Sequence, residues 1–315
     1  MVTAKLRACV VVPTFRRPLL LKRCLESILT QTAEANEIKI VASDPDEKET
    51  IESIVEEVGL SRAEVVCAGR KLLGGEARNL GWKLCESEIV MFVDDDDYWD
   101  QHKIALHLSK HQETTADVVY SGVTYTFHSP QESFIQKAIP APSDVKSALT
   151  GDGFCPPTTS CVSVCRSALE HVSGFDDRLL SYQDWDLWYR LADTCKFASI
   201  AEPLTYFVQH SGERVSMQSD KRSAAATQLL EKHGRSKPML DFLSREYVRT
   251  VERSLVFAAR NGDFRCIANY WSEARSGSLS FINWRTYWIL LKMVVYLPNR
   301  QLLKRAPRHG GASNT

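Results

Sequence analysis

The 315-residue sequence has no excess of charge of either sign. Its 39 lysine and arginine residues balance 39 aspartate and glutamate residues, and the pI is near 7.1. Nucleic-acid-binding domains usually carry a net basic surface. This balance therefore argues against nucleic acid as a partner.

The sequence also lacks an apolar run that is long enough to span a bilayer. The most apolar candidate, residues 281–297, is interrupted by Arg285 and Lys292 and is followed by a basic tail. A transmembrane helix needs about 20 predominantly apolar residues. Two interpretations stay open for this segment: an interfacial helix that contacts anionic lipid, or a helix that packs on the protein core. At the amino terminus Pro13 cuts the first apolar run too short for a signal peptide.

No Cys-x-x-Cys pair occurs among the nine cysteines. Cys161 and Cys165 are close in sequence, but no histidine or cysteine pair nearby completes a zinc site. Most of the other cysteines lie inside apolar runs, which is typical of reduced core residues. We therefore expect a cytoplasmic protein, with a peripheral contact at the inner face of the plasma membrane.

The most informative feature that is present is a run of four carboxylates, Asp94 to Asp97, directly after the apolar residues 89–93. The apolar residues predict a buried strand, and carboxylates at its end need positive partners. A divalent cation that neutralises a phosphate-bearing substrate satisfies them, because carboxylates are hard oxygen ligands. The alternative is a solvated acidic turn.

Strand and helix signals alternate in the first half of the chain, which predicts a sheet of parallel strands with helices on both faces. The predicted elements here are strands at 9–12, 38–42, 64–68 and 89–93 and helices at 18–29, 50–58 and 74–85. The elements predicted after the acidic run are a helix at 99–111, a strand pair within 118–127, a loop at 129–142, a strand at 160–164, a helix at 182–192 and two short strands within 197–208. From about residue 219 the pattern is helical.

Five short motifs occur in an order that resembles the inverting family-2 glycosyltransferases. The motifs are Val11-Val12-Pro13-Thr14-Phe15-Arg16-Arg17-Pro18, Ile40-Val41-Ala42-Ser43-Asp44, Ala77-Arg78-Asn79-Leu80-Gly81, Phe92-Val93-Asp94-Asp95-Asp96-Asp97 and Gln183-Asp184-Trp185-Asp186-Leu187-Trp188. The resemblance covers roughly residues 7 to 212. It implies the α/β GT-A fold, a mixed and mainly parallel Rossmann-like sheet flanked by helices, over residues 1–215, with a helical carboxyl-terminal region at 216–315.

The resemblance also implies a binding site for a nucleotide-diphosphate sugar and a Mg²⁺ or Mn²⁺ ion. A strand end suits a stacked base, and a guanidinium near a helix amino terminus suits a pyrophosphate, for which Asn79 beside Arg78 is a further candidate. The residues expected to bind the nucleotide are Pro13, Thr14, Phe15, Asp44, Arg78, Asp94 and Asp95, and those expected to bind the metal are Asp94, Asp96 and His210. Three alternatives stay open: Phe15 as a core residue, Asp44 as a turn cap and Asp97 as the cap of the following helix.

Asp184 is the candidate catalytic base. An inverting transfer needs one base that takes the proton of the acceptor hydroxyl. The sequence departs from the family at two positions, because the family usually has an acidic residue where this chain has Ser43 and Gln183. A neutral Gln183 leaves Asp184 easier to ionise. The alternative is that Asp184 only caps its helix.

These observations predict a metal-dependent inverting glycosyltransferase of the hexosyl or N-acetylhexosaminyl type. The expected acceptor is a glycan or a lipid-linked glycan, and the expected pathway is the synthesis of a surface polysaccharide of the cell envelope. One alternative is a sugar nucleotidyltransferase, although the segment after the first strand lacks the glycines of its phosphate loop. Another is a catalytically silent module that binds a nucleotide sugar.

Overall fold

The computed structural model describes residues 5–126, 133–151, 154–208 and 219–261. The strands are β1 (Ala8–Thr14), β2 (Glu37–Ala42), β3 (Ala63–Cys67), β4 (Ile89–Phe92), β5 (Tyr98–Trp99), β6 (Val118–Thr126), β7 (Phe134–Gln136), β8 (Val162–Cys165) and β9 (Phe197–Val208). The helices are α1 (Pro18–Leu29), α2 (Lys48–Val58), α3 (Gly74–Lys83), α4 (Lys103–Thr114), α5 (Val145–Thr150), α6 (Arg166–His171), α7 (Gln183–Leu191), α8 (Ser219–His233) and α9 (Lys237–Asn261).

The strands form one mixed sheet in the order β3-β2-β1-β4-β8-β6-β9-β5, and β7 pairs with residues 123–125 of β6 outside this order. The first four strands in this order are parallel. Strand β8 is antiparallel to both of its neighbours, whereas β6 and β9 are parallel to each other. The predicted α/β architecture with a mixed sheet is therefore confirmed.

Strand β1 lies at the centre of the parallel part and is buried along its whole length. Its Val10 and Val12 side chains belong to a core cluster with Leu21, Leu25 and Ile28 of α1. On the other face α3 packs closely, because a Cβ atom at Gly81 would lie only 2.4 Å from Val11 Cγ1. The glycine thus lets α3 lie directly against β1, which fixes the position of the helix that carries Arg78.

A disulfide joins Cys9 of β1 to Cys85, which follows α3. The prediction of reduced cysteines is wrong for this pair, because close packing of α3 on β1 places the two Cα atoms 5.9 Å apart. Cys24, Cys67 and Cys195 are thiols, as predicted. The expected cytoplasmic location loses part of its basis with this disulfide.

Element boundaries after the acidic run differ from the predictions. The predicted helix at 99–111 begins only at Lys103, because Tyr98 and Trp99 pair with β9 as strand β5. The strand pairs expected within 118–127 and 197–208 are the single strands β6 and β9, whose mutual register shifts beside Gly122. The predicted loop at 129–142 contains the short strand β7.

The chain divides into two compact units, residues 1–179 with 183–212, and residues 180–182 with 213–315. In the second unit, helices α8 and α9 bury the side chains of Ala226, Leu229, Leu243 and Tyr247. The predicted domain boundary at residue 215 falls outside the described residues and stays a prediction. The segment 281–297 also lies outside the described residues. Within the described ranges, none of the helices combines the length and the apolarity that crossing a membrane requires.

Candidate active site

The carboxyl ends of three parallel strands bring the predicted site residues to one edge of the sheet. Residues 15–17 follow β1, Asp44 follows β2, and the four carboxylates follow β4. Ligands of open α/β sheets bind at this edge. The strand order therefore assembles a site from segments that are far apart in sequence.

Three of the four carboxylates form a cluster that could hold a metal ion. One oxygen each of Asp94, Asp96 and Asp97 lies within 4.8 Å of the others. Asp97 is the least available, because it is buried and accepts hydrogen bonds from Ser160 Oγ at 2.6 Å and from Val208 N at 3.3 Å. The donor set of hard oxygen atoms fits Mg²⁺ or Mn²⁺, and the side chains of Asp94 and Asp96 are more exposed than that of Asp97. The alternative role of Asp97 as a helix cap is wrong, because α4 begins at Lys103.

Asp95 points towards the end of β1. Its Oδ2 accepts hydrogen bonds from Thr14 Oγ1 at 2.9 Å and from Phe15 N at 3.2 Å, and its side chain is nearly inaccessible. Burial and the neighbouring Asp96 raise the pKa of Asp95 to about 6, against the opposing effects of Arg17, Thr14 and the Phe15 amide. Asp95 thus fixes the segment that is expected to bind the base. Its own contact with the nucleotide stays a prediction.

The Phe15 ring lies at the surface of this segment. It is 47% exposed, and the Arg16 guanidinium lies 5.5 Å from its centroid. The alternative of Phe15 as a core residue is therefore wrong, and the ring is free to stack on a flat base. Pro13 and Thr14 are buried within β1, and their contact with the nucleotide stays a prediction.

Asp44 is buried between two cations. Its Oδ2 accepts hydrogen bonds from Arg16 Nε at 3.0 Å and Nη2 at 2.7 Å, and Lys71 Nζ lies 3.3 Å from the same oxygen. Burial acts to raise the pKa of Asp44, but the hydrogen bonds from Arg16, the Asp46 amide and Lys71 outweigh it and lower the pKa. Asp44 also caps the short 3₁₀ turn Pro45–Glu47 through its bond to Asp46 N. The turn-cap alternative holds, and it leaves the carboxylate ionised at the predicted base-binding position.

Arginines neutralise the acidic cluster. Arg78 Nη2 donates to Asp94 Oδ1 at 2.5 Å, and Arg17 Nη1 donates to Asp96 Oδ2 at 2.9 Å. Arg23 Nη2 donates to the backbone oxygen of Asp96 at 2.7 Å. Sequence reasoning assigned a role to Arg78 but missed Arg17 and Arg23. The Arg16-Arg17 pair directly after β1 was the one signal that could have indicated cations at this edge.

Asn79 does not face the cluster beside Arg78. Its Oδ1 accepts from Phe175 N at 2.9 Å and from Trp82 Nε1 at 2.9 Å, and its Nδ2 donates to Phe175 O at 2.8 Å. These bonds engage its amide, so the suggested pyrophosphate contact of Asn79 is wrong. Asn79 instead fixes the turn at Gly174, whose φ of +69° suits glycine.

Asp184 is the second residue of α7, about 90 positions along the chain from the acidic run. Burial alone would lower the pKa of the Arg78 guanidinium, but the charges of Asp94, Asp184 and Asp96 outweigh it and raise the pKa. Asp184 and Asp94 therefore act on the same buried guanidinium. The preceding Gln183 lies against the start of α3, since a Cβ atom at Gly75 would be 3.1 Å from Gln183 Nε2.

Buried aromatic residues hold α7 in place. Trp185 and Trp188 are 4% and 0% exposed, and Trp185 Nε1 donates to Leu149 O at 3.2 Å. Asp186 is buried in an ion pair with Arg190, which also donates to Gly174 O at 2.7 Å. Asp184 thus stands on a rigid helix at the site. The predicted metal ligand His210 lies outside the described residues.

The fold and this site are those of a known class of enzyme. The sheet is that of GT-A glycosyltransferases, and the structure is similar to TarS of S. aureus, residues 1–349 in complex with UDP-GlcNAc, with a TM-score of 0.63, 16% identity and coverage of 94% of this chain and 88% of that one. It is also similar to the mannosyltransferase PcManGT of Pyrobaculum calidifontis in complex with GDP-Man and Mn²⁺, with a TM-score of 0.56, 17% identity and coverage of 96% and 89%. The predicted fold is confirmed.

The family model described as glycosyl transferase family 2 matches residues 9–172, just over half of the sequence. The chain belongs to this family and is a glycosyltransferase, as the motifs predicted. Among its relatives, an uncharacterized glycosyltransferase of Nostoc sp. is 24% identical over 81% of this chain and 78% of its own length. The amylovoran biosynthesis glycosyltransferase AmsB of Erwinia amylovora is 31% identical over 49% of this chain and 55% of its own.

Proposed function

We propose that this glycosyltransferase moves a hexosyl or N-acetylhexosaminyl group from a nucleotide-diphosphate sugar to a hydroxyl of a glycan or lipid-linked acceptor. The transfer is metal-dependent and inverts the anomeric carbon. The observation that carries this proposal is the environment of Arg78, whose guanidinium pairs with Asp94 of the acidic cluster and whose pKa is raised by the charges of Asp94 and Asp184. This largely buried cation thus relates a site for the leaving diphosphate to a candidate base.

The donor site is built from the strand ends. Phe15 offers a stacking surface for the base, Asp44 an acceptor for a base or ribose group, and Arg78 a fork of donors for the diphosphate. Asp94 and Asp96 would hold a divalent cation, which when bound supplies positive charge beside the leaving group. In support of these assignments, the similar structures of TarS and PcManGT were determined with UDP-GlcNAc and with GDP-Man and Mn²⁺.

Asp184 acts on the acceptor. One of its carboxylate oxygens takes the proton of the acceptor hydroxyl while the hydroxyl oxygen attacks the anomeric carbon from the face opposite the diphosphate. The glycosidic bond forms as the bond to the diphosphate breaks, so one displacement inverts the configuration without a covalent intermediate. A base on a packed helix suits this role, because the attack needs a fixed geometry.

The name of one relative supports the proposed biological setting. AmsB is named for amylovoran biosynthesis, which supports a role of the present chain in surface polysaccharide synthesis. A cytoplasmic location with a peripheral membrane contact would place the enzyme beside a lipid-linked acceptor. This contact stays a prediction.

The test is a panel of UDP-, GDP- and other nucleotide sugars, incubated with Mn²⁺, with Mg²⁺ or with EDTA, and scored for release of the nucleoside diphosphate. We expect metal-dependent turnover of one donor, and its loss in Asp96→Asn but not in the exposed control Asp193→Asn. NMR of the product's anomeric proton then reports inversion. Turnover that persists in EDTA, or a product of retained configuration, would refute the corresponding part of the proposal.

A further inference from the structure

The carboxylates proposed as metal ligands already have cationic partners in the protein. Arg78 pairs with Asp94, and Arg17 Nη1 pairs with both Asp95 Oδ1 at 3.2 Å and Asp96 Oδ2 at 2.9 Å. Arg78 has a role in the proposed function as a diphosphate contact. Arg17 has none so far.

We infer that Arg17 is an internal counterion of Asp96 that a divalent cation must displace, and that it thereby couples metal binding to binding of the donor's diphosphate. The inference rests on the proposed function and deepens it. It assigns Arg17 a positioning role, because Arg17 acts through the metal and the carboxylate.

The geometry makes one of the two Arg17 contacts exchangeable. Asp95 is held by Thr14 Oγ1 and Phe15 N, so its carboxylate has a fixed position. The Asp96 side chain is 12% exposed, against 6% for Asp95, and the Arg17 side chain is 32% exposed at the residue before α1. The guanidinium can therefore leave Asp96 by a rotation of its own side chain, without a change in the backbone of β1 or α1.

Electrostatic repulsion favours binding of the metal together with the diphosphate over binding of the metal alone. A divalent cation and a guanidinium on the same carboxylate repel each other, so the metal alone has to displace Arg17 without compensation. A diphosphate beside the metal offers the displaced guanidinium new anionic acceptors, for which the arginine fork is well suited. Metal and diphosphate should therefore strengthen each other's binding, and this coupling is reciprocal.

The test is a titration of Mn²⁺ into the full-length protein, with the free ion measured by EPR, first without nucleotide and then with saturating UDP or GDP. The variants are Arg17→Gln and, as a control that also loses one positive charge, Lys22→Gln, whose side chain pairs with Glu57 instead. Without nucleotide, we expect Arg17→Gln to bind Mn²⁺ about fivefold more tightly than wild type, or better. The strengthening of Mn²⁺ binding by nucleotide should shrink by the same factor. Lys22→Gln should match wild type.

Arg17→Lys keeps the charge and serves if Arg17→Gln does not fold, as judged by circular dichroism. We expect it to keep more of the coupling between Mn²⁺ and nucleotide than Arg17→Gln does. Without nucleotide, its affinity for Mn²⁺ should exceed that of wild type by no more than about twofold. The inference would be overturned if Arg17→Gln bound Mn²⁺ no more tightly than wild type. It would also be overturned if Arg17→Lys bound Mn²⁺ as tightly as Arg17→Gln does. If these results accompany metal-dependent donor turnover, only the role of Arg17 fails. If wild type binds no Mn²⁺ with either nucleotide and releases no diphosphate from any donor, the proposed function fails with it.

Discussion

Ser160 connects the acidic cluster to the second half of the sheet. Its hydroxyl accepts a hydrogen bond from Asp94 N at 3.1 Å and donates one to Asp97 Oδ2 at 2.6 Å. Its backbone oxygen accepts from Trp99 Nε1 at 2.8 Å and from Thr205 Oγ1 at 3.1 Å. A fully buried serine thus holds the segment after β4 against β5 and β9.

Replacement of this serine tests the connection. We expect Ser160→Ala to lower the free energy of unfolding by about 1–3 kcal/mol, because it leaves the buried Asp97 carboxylate and the Asp94 amide short of a partner. Denaturant unfolding measures the change, with Ser109→Ala on the exposed face of α4 as the control. A loss no larger than that of Ser109→Ala would show that Ser160 contributes little.

At the residue scale, the sequence indicated which acids stand at strand ends but not their partners. Asp94, Asp95 and Asp96 could be placed at one edge, because they follow an apolar run that had to be a buried strand. That Asp95 turns to Thr14 and Asp96 to Arg17 depends on the tertiary packing of β1 beside β4, which no local pattern encodes.

At the element scale, α4 carries titratable residues on its buried face. Lys103, His107 and His111 lie one helical turn apart and are 0%, 0% and 4% exposed. The bond between His111 Nδ1 and Ala116 O at 2.8 Å requires a proton on Nδ1, so in the neutral ring His111 Nε2 accepts from Ser163 Oγ at 2.8 Å. Ser163 Oγ in turn accepts from His107 Nδ1 at 2.7 Å, and His107 Nε2 accepts from Lys103 Nζ at 3.1 Å. Every bond of this chain has one donor and one acceptor when both histidines are neutral.

Burial lowers the pKa of His111 to about 4, and burial with the charge of Lys103 holds the pKa of His107 well below its usual range. Below about pH 6.5 the unfolded chain takes up protons on these histidines whereas the folded protein does not. The free energy of unfolding therefore decreases as the pH is lowered, by up to about 1.4 kcal/mol per pH unit for each group. We expect His111→Gln to reduce this dependence between pH 6.5 and 4.5, measured by urea unfolding. The exposed control His102→Gln should keep the wild-type dependence, and equal slopes in all three proteins would contradict this account.

Hydrophobic periodicity predicted most elements of the first half because each β-α unit is local in sequence. It predicted α1 with its bounds and came within a few residues for β2 and α2. It did not predict that α4 starts late or that its buried face is polar, since an amphipathic helix is expected to bury apolar residues. Strand pairings such as β4 with β8 join residues far apart in the chain and leave no local signal.

At the scale of the whole molecule, the Cys9–Cys85 disulfide closes a loop of 76 positions that contains α1, β2, α2, β3 and α3. A crosslink over such a loop restricts the unfolded chain and stabilises the folded one. The sequence suggested reduced thiols because both cysteines lie in apolar segments. Only the packing of α3 on β1 reveals them as neighbours.

Removal of the disulfide should weaken the fold. We expect Cys9→Ser with Cys85→Ser to lower the free energy of unfolding by about 2–4 kcal/mol, whereas Cys195→Ser, which removes a thiol, should have little effect. A peptide map under non-reducing conditions should contain a fragment in which Cys9 and Cys85 are joined. Recovery of both as free thiols from unreduced protein would contradict the disulfide.

The central claim is that Asp184 is the base of a transfer whose donor is bound at the acidic cluster. The measurement that tests it most directly compares turnover and donor binding in wild type, Asp184→Asn and the exposed control Asp177→Asn, with the nucleotide sugar that wild type uses. We expect Asp184→Asn to lose roughly a hundredfold or more in kcat while its donor Kd stays within about threefold of wild type. Asp177→Asn should behave as wild type. Undiminished turnover by Asp184→Asn would contradict the account.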